Sequence, residues 1–417
     1  MDKRRFNEGL LRFLEGAVTP YHAVMQMRAM LEKAGFVMLD ERLPWHLEEG
    51  KRYFTIHNDS SIIAFTYPKS AQSYLLLGAH TDSPTLKLKP NPIIKREGLI
   101  QFNVEPYGGL LLNSWFDRDL SLAGKVNFLA TDGAMQESII DKKEPLCTIS
   151  SLAIHLDDKA NKERTINKQN HLAPILTCNE DFDFERFLLV DAAKKLLAFD
   201  LNLYDTQKAA YIGLHREFIA SARLDNLLSC YINLQTLLHA SDNDAILSVA
   251  NDHEEVGSES SGGAAGAFLT QTLQRIFPTS ETFVRAMRNS LLVSCDNAHA
   301  VHPNYADKHE SEHKPRLNGG AVIKINANQR YASNVTTIAR FKAAAQSVGE
   351  PTQEYVVRSD MGCGSTIGPI TAARLGIETV DIGVPTLAMH SARELAGSDD
   401  AFSLFTILSR LGSGDNG

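Results

Sequence analysis

Short apolar runs alternate along this chain with stretches that repeat apolar side chains at helical spacing, and that rhythm leaves few architectures open. The runs lie at 73–80, 245–250, 291–294, 355–357 and 379–382. Between them, 224–240 carries Leu224, Leu227, Leu228, Tyr231, Leu234, Leu237 and Leu238, which fall on one side of a helix. Similar patterns occupy 263–276, 335–348 and 365–375. Residues 6–34 add another helical region, which Pro20 should break or restart. Strands alternating with helices predict an α/β fold: a mixed, mostly parallel sheet flanked by helices.

The rhythm stops from 92 to 212. That stretch follows a proline-punctuated segment, Pro84 to Pro92, and holds short alternating apolar runs and a long polar region. A structureless loop of that length is improbable inside a compact domain. The expectation is an inserted, β-rich domain at 92–212, with 1–91 and 213–417 forming one discontinuous domain around it.

Composition removes several function classes. A net charge of −8 argues against a general nucleic-acid binder, which needs a basic face. No run approaches the ~18 apolar residues of a membrane span, and the N-terminus lacks an apolar signal core. The five cysteines are scattered, odd in number and without a Cys-x-x-Cys pair, against a disulfide framework or a Cys₄ zinc site. Reduced thiols in a soluble, cytoplasmic protein are the expectation.

Chemistry-bearing residues gather after the apolar runs. His80 and Asp82 stand two apart at the end of 73–80, so an extended backbone points them the same way. A metal-binding imidazole usually has its other ring nitrogen held by a carboxylate or carbonyl, a place Asp82 can take. Glu254 and Glu255 follow 245–250. Adjacent glutamates are ordinarily a solvated surface pair, but these lie where open α/β sheets gather their sites. Asp225 stands at the start of a helical pattern, Asp296 just after 291–294, and His390 after 379–382 and a short loop. Two histidines and three carboxylates, His80, His390, Asp225, Asp296 and one of Glu254 and Glu255, suit a two-metal site with a shared carboxylate, the other glutamate acting as general base. Zinc, cobalt or manganese would fit such donors.

His309-Glu310-Ser311-Glu312-His313 matches the zinc-protease pattern but lacks the apolar helix face that would aim both imidazoles at one ion, so a polar loop is expected. The glycine-rich 358–369 is either a tight connection or a pocket wall where Gly362 admits a close backbone approach.

The strings GAHTDSP at 78–84, WFDRDLSLAG at 115–124, ARLDN at 222–226, EEVGSES at 254–260, DNAHAVHPNY at 296–305, KINANQRYASN at 324–334, GCGSTIGPI at 362–370 and LAMHSARE at 387–394 resemble the aspartyl aminopeptidase family of metallopeptidases. The resemblance implies a hydrolase that removes the N-terminal residue of peptides, with a preference for Asp or Glu, through a water activated by two divalent ions. It implies His80, Asp225, Glu255, Asp296 and His390 as ligands with Asp225 bridging, Glu254 as base and Asp82 orienting His80. It places His299 and Lys324 near the substrate pocket, where Gly362 and Met389 are expected as well, and makes 92–212 a dimerisation domain. His155 matches a histidine that reaches a partner subunit's active site, in dimers that build a tetrahedral dodecamer. His253 departs from the family pattern, where a shorter or amide side chain is expected. Two other readings stay open: a deacylase or amidase on non-peptide amides using the same metal pair, and a non-catalytic assembly scaffold.

Overall fold

The computed structural model describes residues 1–188 and 193–413, without the side chains at 193 and 194. Parts of the expected domains that fall on 189–192 and 414–417 lie outside the described residues. The chain divides into two units: Met1–Asp82 with Ala209–Met389 and Glu394–Gly417, and Ser83–Lys208 with His390–Arg393.

The first unit is built on a nine-stranded mixed sheet. Its middle is a run of four mutually parallel strands, Ile246–Asn251, Leu75–His80, Leu291–Cys295 and Glu378–Gly383. The hairpin Lys51–His57 and Ser61–Tyr67 joins one side antiparallel, and Ala321–Ile325 the other. Successive residues of a strand point to opposite faces. Leu75, Leu77 and Ala79 therefore pack with the helices Lys3–Gly16, Pro20–Lys33, Leu224–Leu238 and Asp400–Gly412, whereas Leu76, Leu247 and Leu292 pack with Phe268–Ile276 and Ser280–Asn289. With both faces covered, the strands have no polar side to present, which explains the unbroken apolar runs in the sequence. A second, five-stranded sheet runs Ala210–Ile212, Phe218–Ser221, Glu394–Gly397, Pro385–Leu387, Ala298–His299.

Local chemistry sets the helix ends. Asp2 accepts from the Arg5 amide at 2.9 Å and starts the first helix. Pro20 occupies the first turn of the second, behind the cap Thr19, so the predicted break is a restart. The helix Leu224–Leu238 is buried on nearly every side. Its polar side chains therefore need partners: Asn226 donates to the Cys295 carbonyl at 2.8 Å and Asn233 to the Gly78 carbonyl at 3.2 Å. The helix expected from 263 starts only at Phe268. The cause is a packed turn, in which a Cβ on Gly263 would lie 2.2 Å from the Ser258 carbonyl oxygen.

The second unit carries a six-stranded, wholly antiparallel sheet in the order Met135–Asp141, Leu120–Ala130, Ala193–Asp205, Thr85–Arg96, Leu99–Tyr107, Ile175–Thr177. The unit begins at Ser83, not at 92, and takes in residues 390–393. The boundary drawn at 92 falls inside the strand Thr85–Arg96 because Pro90 and Pro92 sit in a register shift between Leu88 and Ile93, where a missing ladder N–H is tolerated. Among the described residues no helix is long and apolar enough to cross a membrane.

Candidate metal centre and active site

The four parallel strands share one carboxyl edge, and the register aligns His80 with Asn251 and Cys295 with Ile382. The residues that leave this edge are His80 itself, the turn holding Glu254 and Glu255, and Asp296, as expected for a site in an open α/β sheet. Asp225 arrives from behind. The first residues of its helix are not helical: Asp225 has φ −84 and ψ 107, and the peptide between it and Asn226 is cis. The sequence places Asp225 at the start of a helical pattern; the extended backbone there brings its Oδ1 to 3.5 Å from His80 Nε2.

His80 is fully buried. Its Nδ1 faces the Asp82 main-chain oxygen at 3.0 Å and the Asp82 carboxylate at 3.3 Å. Its Nε2 faces Asp225 Oδ1 at 3.5 Å and Asp296 Oδ1 at 3.6 Å. Asp82 also accepts from the Glu254 and Glu255 amides, one on each carboxylate oxygen, both at 3.1 Å. It thus fixes the imidazole and the turn bearing Glu254 and Glu255 together. Ligand atoms of His80, Glu254 and Glu255 lie within 4.8 Å of one another, as do those of His80, Asp225 and Asp296.

Electrostatics favour added positive charge here. Burial alone pulls the His80 pKa down, yet Asp225, Asp296 and Asp82 together hold it well above the ordinary value. Burial pushes Glu254 up to about 7, opposed by His80 and reinforced by Asp296, Asp225 and Asp82. A proton on His80 relieves part of this repulsion; a divalent cation relieves more. The donor set fits zinc, with imidazole and carboxylate ligands and no competing thiolate. So does the spacing: two ligands each about 2.0–2.1 Å from a tetrahedral zinc stand about 3.3–3.5 Å apart, close to the gaps at Nε2.

The family model described as aminopeptidase I zinc metalloprotease (M18) matches residues 13–411. The chain belongs to the M18 family of zinc aminopeptidases. A relative from Ectopseudomonas mendocina, named probable M18 family aminopeptidase 2, is 53% identical over 414 residues, covering 96% of each chain. A chain in the cryo-EM structure of the Ape4 and Nbr1 complex is 38% identical with a TM-score of 0.94, over 99% of this chain and 86% of that one. The S. cerevisiae mApe1 dodecamer matches at 25% identity and a TM-score of 0.84, over 97% and 95%. The aminopeptidase is therefore a metal-dependent hydrolase of peptide bonds.

The other expected residues spread over both units. Lys324 is buried and donates to Asp296 Oδ2 and to the Asn297 carbonyl, each at 3.1 Å, so its charge is already partly engaged by a candidate ligand. His299 lies on the strand Ala298–His299 with its ring 5.8 Å from that of Tyr355. Met389 is half-buried at the turn after Leu387. Gly362 is exposed, and a Cβ there would meet nothing within 4 Å, so packing within the chain does not require glycine. His390 belongs to the second unit, where its Nδ1 faces the Gly109 carbonyl at 3.1 Å and its own carbonyl accepts from the Leu111 amide at 2.9 Å. His155 is exposed on the short turn Ile154–Leu156 of the same unit.

The zinc-protease look-alike at 309–313 is not helical; Glu310 turns back to accept from the His313 amide at 3.0 Å and its ring at 2.5 Å. The sequence reading missed Glu394, a buried acid whose carboxylate accepts from the Asp225 amide at 2.9 Å. Its only signal was its place at the end of the string that contains His390. It also missed Cys230, whose thiol faces the His80 carbonyl at 3.0 Å from one helical turn beyond Asp225.

Proposed function

We propose that the aminopeptidase removes N-terminal Asp or Glu from peptides with Glu254 as general base and a pair of divalent ions, zinc by family, with cobalt or manganese able to substitute. The observation that carries this reading is the convergence of His80, Asp225, Glu254, Glu255 and Asp296 around one point, with Asp82 bonded to three of these residues, His80, Glu254 and Glu255. His80, Asp225, Glu255, Asp296 and His390 would hold the ions, with Asp225 shared. When bound, the ions supply Lewis-acid polarisation of the scissile carbonyl and a water acidified toward neutrality.

The chain's own residues do the rest. The Glu254 carboxylate takes the proton of the attacking water and returns it to the leaving amine. Asp82 keeps that carboxylate in place through the Glu254 amide. The Lys324 ammonium, held by Asp296 and Asn297, supplies the positive charge that favours a substrate side-chain carboxylate. Gly362, Met389 and His299 complete the pocket, and His155 enters it from a second subunit. The second unit serves dimerisation, in an assembly like the dodecamer reported for the S. cerevisiae relative, with tetrahedral arrangement.

Glu254→Gln keeps the shape and all five candidate ligands. Its kcat should fall by at least about a thousand-fold with zinc content unchanged, by steady-state kinetics and metal analysis. Near-normal turnover at full zinc would reject the base assignment. A faster rate on Leu than on Asp and Glu anilides would reject the acidic preference alone.

A further inference from the structure

The turn that presents Glu254 and Glu255 begins at a residue in a conformation that non-glycine residues as a whole seldom adopt. His253 has φ +64 and ψ 21, the left-handed region, where a side chain crowds the backbone. Such a conformation costs a non-glycine residue on the order of 1–2 kcal/mol and survives where surrounding contacts over-determine it. Glycine would meet the backbone requirement without that cost. The contacts of the imidazole show what the side chain adds.

The His253 Nδ1 lies 2.8 Å from Ser260 Oγ, and its Nε2 lies 3.5 Å from Asp252 Oδ2. The His253 amide donates to Asp252 Oδ1 at 2.8 Å. Ser260 Oγ accepts from the Gly263 amide at 3.0 Å, which anchors it to the rigid glycine turn. Gly263 and Gly266 in that turn have no room for a Cβ. Asp252 is itself held by Ser61 Oγ, which accepts from the Asp252 amide at 3.0 Å. The imidazole therefore bridges the strand end at Asp252 and the glycine turn at Ser260, and the backbone carrying both glutamates leaves from that bridge. Asp82 clamps the same two residues from the other side through their amides.

We infer that His253 is a positioning residue: its ring, braced by Ser260, sets the direction in which the Glu254 carboxylate leaves the turn. The inference rests on Glu254 being the base. It is separable from that reading, because His253 is not one of the groups assigned to take the proton or to hold the ions.

The test uses the zinc-loaded aminopeptidase. It compares kcat, KM and zinc content for H253A, H253G, S260A and the H253A/S260A double variant, with E254Q alongside. The expected result is a drop of about ten-fold or more in kcat for each single variant at full zinc occupancy, with KM within about two-fold of wild type. The double variant should be no slower than H253A, because both remove one bridge. H253G separates ring from backbone: wild-type kcat in H253G means that only the φ angle matters and overturns the inference. Wild-type kcat in S260A, or losses that multiply in the double variant, also overturn it. S260A leaves the His253 backbone untouched, so it decides the question even if H253A fails to fold. An active E254Q would remove the base assignment instead, whatever the His253 variants do.

Discussion

At the scale of single residues, Asp82 has the most varied work. The sequence suggests that its carboxylate orients His80. In the structure the shorter contact to the imidazole comes from the Asp82 main-chain oxygen, while the carboxylate spends one oxygen on each glutamate amide. One buried residue thus ties His80, at the end of one strand, to the turn that carries Glu254 and Glu255 after the neighbouring strand. Asp82→Asn puts an NH₂ group where one of the two amides needs an acceptor, leaving a buried donor unsatisfied. The expected outcome is a loss of about ten- to a hundred-fold in zinc affinity together with a fall in kcat, by zinc titration and steady-state kinetics. Wild-type affinity and rate in the Asp82→Asn variant would show that the two amides are held by something else.

At the scale of elements, Asp400 ties the start of the helix Asp400–Gly412 to the turn that leads into the strand Ala321–Ile325. It accepts from the Asn318 amide at 2.7 Å and the Gly320 amide at 2.8 Å. Those bonds favour the carboxylate, but burial outweighs them and raises the group from 3.8 to about 7. The folded chain then keeps a proton that the unfolded chain releases between those values. Stability from this group is therefore lost as pH rises from about 4 to 7 and is level above that. Asp400→Asn mimics the protonated form and removes the slope. In denaturant unfolding between pH 4.5 and 8, wild type should lose ground to this variant by up to about 1.4 kcal/mol per pH unit through the window. A pH-independent gap between the two would contradict the assignment.

Elements were legible in the sequence where two-sided burial made the pattern simple. The four central strands and the helix Leu224–Leu238 read directly because their whole surface is apolar or bonded to neighbours. The strand Lys51–His57, the second sheet and the helix Ser280–Asn289 did not stand out: those strands are short or partly exposed, and the helix buries only Ala286 and Met287. Of the candidate site, the residues at strand ends could be picked out by position. Glu394 and the engagement of Lys324 with Asp296 could not, because each depends on segments 28 to 169 residues apart meeting in space.

At the scale of the whole molecule, the question is whether one chain makes a complete site. The second unit leaves Leu152, Ile154 and Leu156 exposed at 57, 52 and 73%, on either side of His155. Isolated exposed apolar side chains are ordinary, but three alternating around a histidine form a surface suited to burial against another chain. In the proposed assembly that burial delivers His155 to a neighbouring subunit's pocket, so activity and association should rise and fall together. Ile154→Asp together with Leu156→Asp places two charges in the interface, where desolvating them is costly, and leaves the metal ligands alone. Sedimentation should show smaller species, and kcat should fall in parallel while zinc stays bound. His155→Ala should instead lower kcat with the assembly intact. Mixing His155→Ala with a Glu254→Gln chain then restores part of the rate, since a subunit with an intact Glu254 receives an intact His155 from the other. Full activity in the dissociated double-Asp variant would mean that each chain works alone.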